Sequence, residues 1–184
     1  MPIAPPSRPQ QKREASEKML RSAGVTDQVS LIGIRGYYLD TMGEKGINDR
    51  GIYDDAIILL SPSVYATFNA NTDPSVFRKG IATLKSGVHS YKKGNHGISR
   101  PDGGYPALRP ASPDESVPVT RDNEPDGVGI AINIHRGSYN GTSSLGCQTI
   151  YPPQWDSFIN LVYGEMTRYN QKTIPYFLTE NRKS

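Results

Sequence analysis

The chain has little of what cross-links a small protein. Among its 184 residues there is one cysteine, Cys147, so no disulfide can form within the chain. A chain of this length buries enough surface to form one stable domain without a disulfide or a metal. A lone cysteine is most often a small buried hydrophobic residue, so any reactivity of Cys147 has to come from its neighbours.

Long hydrophobic runs and a strong charge are also missing. No stretch of about 18 apolar residues occurs, which excludes a membrane-spanning helix of ordinary length. The net charge is +3, and the basic residues are scattered, whereas nucleic-acid-binding proteins concentrate Lys and Arg on one face. We therefore expect a monomer that binds no nucleic acid and inserts into no membrane.

Glycine, proline and tyrosine, by contrast, are abundant, with 18, 15 and 11 copies, while only 35% of the residues are hydrophobic. This composition favours a mainly β protein, a β-rich α+β domain with many turns and a few short helices. Residues 1–27 predict a disordered Pro-rich tail, over residues 1–12, followed by a short helix. Residues 28–184 then form the domain itself.

Hydrophobic periodicity predicts the elements of that domain. Residues 152–169 have the 3.6-residue spacing of an amphipathic C-terminal helix, and residues 13–23 predict a short helix that ends at Gly24. Residues 97–127 are polar and rich in proline, and they predict a long irregular loop. Strands are expected over 29–39, 52–60, 64–70, 128–135 and 173–179, with a bent hairpin over 80–91.

The segment from Val128 to His135 alternates strictly between apolar and small or polar residues. A period of two predicts that its four aliphatic side chains share one buried face of a strand. His135 then lies on the other face with Asn133, at the end of the strand and beside a glycine-rich loop. Loops at strand ends are where catalytic groups are commonly exposed.

Twelve residues after His135 comes Cys147. A thiol is a good nucleophile only as a thiolate, and a neighbouring imidazole can take its proton and later deliver it to a leaving amine. Gly146 allows a sharp turn that directs the N–H groups of Gly146 and Cys147 at a developing oxyanion, and Ser144 can hydrogen-bond the base or the loop. From the pattern alone, a satisfied strand-end histidine and an inert buried cysteine explain the segment equally well.

Residues 134–150, IHRGSYNGTSSLGCQTI, resemble the signature of the L,D-transpeptidase (YkuD-type) catalytic domain family. In that family an apolar strand ends in His-Gly, and a loop leads into a Ser-x-Gly-Cys segment that carries the nucleophile. The chain departs from the pattern at Arg136, which separates the histidine from the glycine, in its shorter loop, and at Thr149, where the family usually has arginine. It is most similar in kind to a divergent branch from phages or mobile elements.

The resemblance implies an L,D-transpeptidase-like β-sandwich or open barrel and thiol acyl transfer on peptidoglycan stem peptides. Cys147 would be the nucleophile and His135 the base and then the acid, with the N–H groups of Gly146 and Cys147 as the oxyanion hole and Ser144 in support. No cofactor and no metal is required. The residues expected to contact the substrate are Asn133, Arg136, Gly137, Tyr139, Ser143 and Tyr105.

Two other functions stay open. A zinc peptidase would need histidine ligands, but His89 and His96, seven residues apart, fit no specific zinc motif. A non-catalytic module that binds the cell wall or builds a virion would tolerate Cys147→Ser. The run Asn69-x-Asn71-x-Asp73 has the opening spacing of a calcium loop but lacks its glycine and its final glutamate, which predicts a polar turn.

The expected location follows from the expected chemistry. The first twenty residues have no apolar core of a secretory signal peptide, which predicts synthesis in the cytoplasm without a conventional signal. A peptidoglycan substrate places the action at the bacterial cell wall, in the periplasm. We therefore expect non-classical delivery, as for an endolysin released during phage lysis, an effector injected by a secretion apparatus or a protein carried on a virion.

Overall fold

A computed structural model describes residues 10–181 of the chain. The predicted disordered tail lies mostly outside the described residues. Within them are two helices, α1 (Arg13–Ser22) and α2 (Pro152–Arg168). The strands are β1 (Ser30–Arg35), β2 (Asp55–Leu60), β3 (Tyr65–Asn71), β4 (Ala82–Leu84), β5 (Gly87–His96), β6 (Tyr105–Pro110), β7 (Ser116–Arg121), β8 (Glu124–Ile130), β9 (Ile134–Arg136), β10 (Gln148–Ile150) and β11 (Thr173–Glu180).

The prediction of a β-rich α+β fold is confirmed, since 38% of the described residues are in strands and 16% in helices. Eight strands close into a barrel in the order β1-β11-β5-β6-β9-β10-β3-β2, and β4, β7 and β8 form a second, small sheet. The pairs β1–β11 and β9–β10 are parallel, and the other neighbours are antiparallel. The main sheet is therefore closed, where a sandwich or an open barrel was expected, and closure leaves it no unpaired edge strand.

The long loop predicted over 97–127 is wrong, because this segment contains β6, β7 and most of β8. Gly103 and Gly104 both have positive φ, and they make the turn that brings β6 back along β5. The prolines of this segment are the reason why its sequence predicts a loop. Pro106 is the second residue of β6 and Pro110 is its last, and strands tolerate proline best near their ends. The hairpin expected over 80–91 is also wrong, since β4 and β5 belong to different sheets.

The strand predicted from Val128 to His135 is in fact two strands in different sheets. Ala131, between β8 and β9, has a left-handed φ of 53°, which breaks the alternation of side chains. As a result Ile132 and Ile134 are buried as predicted, whereas Val128 and Ile130 are 56% and 62% exposed. The break turns the chain from the small sheet into the barrel, directly before His135.

Two hydrophobic clusters hold the helices on the barrel. The larger one contains Leu31 and Ile57 from the strands and a buried stripe of α2, which confirms the predicted amphipathic helix. The smaller one uses the opposite faces of β1 and β2 and includes Leu20 of α1. Gly24 has a φ of 75° and follows α1, as its sequence predicts. No helix among residues 10–181 is long and apolar enough to cross a membrane.

Candidate active site

The pairing of β9 with β10 brings the predicted nucleophile and the predicted base to one place. His135 pairs with Thr149 in this parallel ladder, and Cys147 immediately precedes β10. Both side chains line a cavity of about 840 Å³. The loop between the two strands forms much of its wall, through Ser138, Asn140, Gly141, Ser143, Ser144 and Leu145.

The hydrogen bonds of His135 fix which of its ring nitrogens is the base. Its Nδ1 lies 2.7 Å from the carbonyl oxygen of Arg136. Because a carbonyl oxygen only accepts, Nδ1 carries the hydrogen and Nε2 keeps a free lone pair. The Tyr105 hydroxyl donates to the same carbonyl, at 3.3 Å, and also lies 3.2 Å from Nδ1. A backbone carbonyl thus orients the imidazole, as a carboxylate does in other catalytic sites.

The sequence predicts that His135 is exposed at the end of a strand, but in the structure it is buried. Only 3% of its surface is accessible. Burial lowers its pKa to about 3, with the neighbouring His96 acting in the same direction. The imidazole is therefore neutral at physiological pH, with Nε2 unprotonated.

Cys147 is enclosed by protein atoms but keeps part of its surface open to the cavity. Burial raises the pKa of its thiol, while the N–H of Asn133 and the charge of Arg109 act against that rise. The thiol donates to the carbonyl oxygen of Ala131, 3.7 Å away. The resting pair is therefore a neutral thiol and a neutral imidazole in one cavity, with the thiol hydrogen-bonded to Ala131 and not to His135.

The turn before the nucleophile depends on Gly146 and Ser144. Gly146 has a φ of 134°, and a Cβ there would lie 2.8 Å from the carbonyl oxygen of Ala82. Ser144 Oγ donates to the Cys147 carbonyl at 2.6 Å and accepts from the Gly146 N–H at 3.1 Å. Ser144 therefore holds the loop and not the base. The Gly146 N–H, predicted as an oxyanion donor, donates to Ser144 Oγ in this structure, so an oxyanion would have to compete with this bond.

The N–H of Cys147 is the other predicted oxyanion donor. Within residues 10–181 it has no hydrogen-bond partner. Among the residues expected to bind substrate, Ser143 is exposed and lines the cavity, which fits that role. Tyr139 is 63% exposed on the same loop but is not part of the cavity wall.

The other residues expected to bind substrate make contacts within the protein. Asn133 is buried and its Nδ2 donates to His96 Nδ1 at 3.2 Å. Gly137 lies against Tyr53, where a Cβ would be 2.1 Å from the phenol oxygen. Tyr105 is half-buried beside His135, and the exposed guanidinium of Arg136 lies 5.0 Å from the Tyr105 ring centroid.

His96 is the residue that sequence reasoning missed. Its ring stacks on that of His135, with centroids 3.8 Å apart and planes at 14°, and it lines the cavity. It reaches the site because β5 and β6 pair with His96 opposite Tyr105. The glycines between these two strands are typical of a hairpin turn. The prediction of a long loop over 97–127 left this hairpin out.

Thr149 occupies the position of the family arginine, and it is fully buried. Its hydroxyl has no hydrogen-bond partner among the described residues. This position therefore cannot contact a substrate in the cavity.

The histidines do not converge on a metal. His89 Nε2 is 2.7 Å from the carbonyl oxygen of Lys85, at the other end of β5 from His96. In the described part of the chain, no three His, Cys, Asp or Glu side chains are grouped as metal ligands.

Comparison of the chain with protein-family models, with curated proteins and with solved structures finds no match.

Proposed function

We propose that the chain is a cysteine acyltransferase or peptidase that acts on peptidoglycan stem peptides, as an L,D-transpeptidase or an L,D-carboxypeptidase or endopeptidase. One observation carries the proposal: Cys147 and His135 share a cavity, and the Arg136 carbonyl leaves Nε2 of His135 as the free base. The likeness of residues 134–150 to the family signature supplies the substrate class.

In the first half-reaction the Cys147 thiol passes its proton to His135 Nε2 while Sγ attacks the carbonyl carbon of the third stem residue. The carbonyl electrons move to oxygen, which the Cys147 N–H stabilises. When the intermediate collapses, the C–N bond breaks and the imidazolium proton goes to the leaving amino group. The terminal D-amino acid departs, and a thioester on Cys147 remains.

In the second half-reaction an amine or water attacks the thioester, and His135 accepts its proton and returns it to sulfur. An amine acceptor gives a cross-link, and water gives a carboxypeptidase. The same steps cut an existing cross-link when the leaving amine belongs to a second stem peptide.

The charges around the cavity favour an anionic peptide. Arg136 and Arg100 are both exposed, and their guanidinium groups lie 5.0 and 5.9 Å from the ring centroid of Tyr105, whose hydroxyl contacts His135. Stem peptides carry carboxylates, which such cations attract from solution. The exposed Leu145 and Val76 add apolar surface to the same cavity.

The test is to incubate the full chain with purified muropeptides and to follow the products by mass spectrometry. Loss of one D-amino acid identifies a carboxypeptidase, and exchange for an added D-amino acid identifies a transpeptidase. Cys147→Ala should abolish either reaction, because no other group supplies the sulfur nucleophile.

The controls separate the alternatives. Tyr139→Phe, on the exposed part of the same loop, should keep most of the turnover. Turnover that survives in Cys147→Ala would contradict the thiol mechanism. Binding to isolated cell walls without any turnover, in both the wild type and Cys147→Ala, would favour the non-catalytic module.

A further inference from the structure

A second polar cluster lies away from the thiol, where β2 begins and β3 ends. It consists of Asn48, Asp54, Asn71 and Asp73. Nδ2 of Asn48 donates to Asp73 Oδ2, and Nδ2 of Asn71 donates to the backbone carbonyl of Asp73. Asp55 pairs with Ala70 across β2 and β3, which places Asp54 beside Asn71.

Three oxygen atoms of this cluster are buried and have no hydrogen-bond partner in the described residues: Asp54 Oδ1, Asn71 Oδ1 and Asn48 Oδ1. Asp54 and Asn71 are both fully buried. The amide nitrogens of the two asparagines already donate to acceptors, which fixes the orientation of each amide and leaves its Oδ1 as the acceptor without a partner. Buried acceptors without a donor are costly, and in native proteins such groups face an ordered water or an ion.

The charge balance around these oxygens distinguishes an ion from a water molecule. Three buried carboxylates, those of Asp54, Asp55 and Asp73, lie in this region. Arg35 is the basic side chain that pairs with them in the described chain, through Nε to Asp73 Oδ1 at 3.1 Å. Buried carboxylates in excess of their counter-ions favour a cation nearby.

A cavity of about 660 Å³, separate from the one at Cys147, reaches the cluster at Asn48 and Asp73 and is also lined by Arg35. Asp54 and Asn71 do not line it, so water molecules approach the cluster from the side of Asn48 and Asp73. Carboxylate, amide and water oxygens are the ligands of hard cations, and calcium accepts six to eight of them in flexible geometry.

From this geometry we propose a calcium site formed by Asp54 Oδ1, Asn71 Oδ1 and Asn48 Oδ1, with water ligands from the adjoining cavity. The site joins the loop that carries Asn48 to the ends of β2 and β3. Since β3 pairs with β10, which follows Cys147, a bound ion stabilises the frame of the thiol cavity without contacting it. The inference is independent of the proposed acyl-transfer activity.

The test uses the full chain after treatment with a chelating resin. Thermal unfolding is recorded while CaCl2 is added, with NaCl at matched ionic strength as the reference. Ten millimolar CaCl2 should raise the unfolding midpoint by about 3 °C or more, since a ligand of the native state stabilises it by mass action. Terbium should show tyrosine-sensitised emission, because Tyr53 precedes Asp54, and excess calcium should reduce it.

Matched variants assign the site. Asp54→Asn keeps the shape of the side chain and removes its charge. Asn48→Ala repeats the test at a half-buried residue and leaves the Asp54 carboxyl unchanged, although it also removes a donor to Asp73. Both should lose most of the calcium-dependent shift. Asp27→Asn, on an exposed residue before the opposite end of β1, should keep it. A wild type with no calcium-dependent shift and no terbium emission overturns the site, and a full shift in either Asp54→Asn or Asn48→Ala overturns this ligand set.

Discussion

The imidazole rings of His96 and His135 are stacked, with their centroids 3.8 Å apart and their planes inclined by 14°. The stack covers one face of the base. Asn133 Nδ2 donates to His96 Nδ1, so this nitrogen accepts and the hydrogen of a neutral His96 lies on Nε2. Two positive rings at this separation would repel each other, and burial lowers the pKa of both. The arrangement keeps the base unprotonated.

Replacing His96 by alanine should raise the pKa of His135 by about 1 or more, because the ring becomes exposed and loses its basic neighbour. In the wild type this pKa is about 3, so His135 stays neutral throughout the physiological range. In the variant the protonated form appears at a higher pH, and the acid limb of the activity profile moves up with it. Imidazole NMR signals titrated against pH measure the change.

His96→Phe is the matched control, since it keeps an aromatic ring over His135 and most of its burial. Because it keeps the burial but also removes the basic neighbour, its His135 pKa should rise by less than in His96→Ala. An unchanged pKa in His96→Ala would show that the stack does not shield the base.

The thiol should behave as a protonated group at neutral pH. Burial raises the pKa of Cys147, so the rate of alkylation by iodoacetamide should still be rising at pH 9, above the ordinary thiol value of about 8.5. Cys147 is the single cysteine of the chain, so mass spectrometry of the alkylated protein reports on this site alone. A plateau that begins below pH 7 would instead indicate a preformed thiolate–imidazolium pair.

Gly146→Ala should be strongly destabilising. The added Cβ would lie 2.8 Å from the Ala82 carbonyl oxygen at a φ of 134°, so we expect a loss of ~2 kcal/mol or more in the free energy of unfolding. Denaturant titration measures this loss. Gly141→Ala in the same loop has no atom within 4 Å of the new Cβ and should change the stability by about 0.5 kcal/mol or less. Equal effects of the two substitutions would exclude strain at Gly146 as the cause.

Ser144→Ala should weaken the turn before the nucleophile, because it removes two hydrogen bonds and leaves the buried N–H of Gly146 without a partner. The expected cost is ~1–3 kcal/mol in the free energy of unfolding, together with reduced turnover. Ser143→Ala, at an exposed neighbour, should stay within about 0.5 kcal/mol of the wild type. Full turnover in Ser144→Ala at a temperature where it is folded would argue against a positioning role.

Local sequence patterns predicted the elements whose pattern is long or unambiguous. The apolar stripe of α2 was recognised because one face of the helix packs on the core, and the apolar run of β2 because both faces of this strand are buried. The same reasoning failed at Val128 and Ile130, since a left-handed residue at Ala131 breaks the alternation between them and the buried Ile132 and Ile134. No local rule predicts that an alanine adopts this conformation.

A short segment is enough to make His135 and Cys147 candidates for one site, because their chemistry and the glycine before the cysteine are visible in residues 134–150. The groups that surround them are set by the three-dimensional fold. His96 and Tyr105 come from the β5–β6 hairpin, and Tyr105 lies 30 residues before His135 in the chain. Both reach His135 because β5, β6 and β9 are neighbours in the barrel. Burial, ring stacking and the choice of proton-bearing nitrogen depend on such non-local contacts, so no reading of residues 134–150 alone could have supplied them.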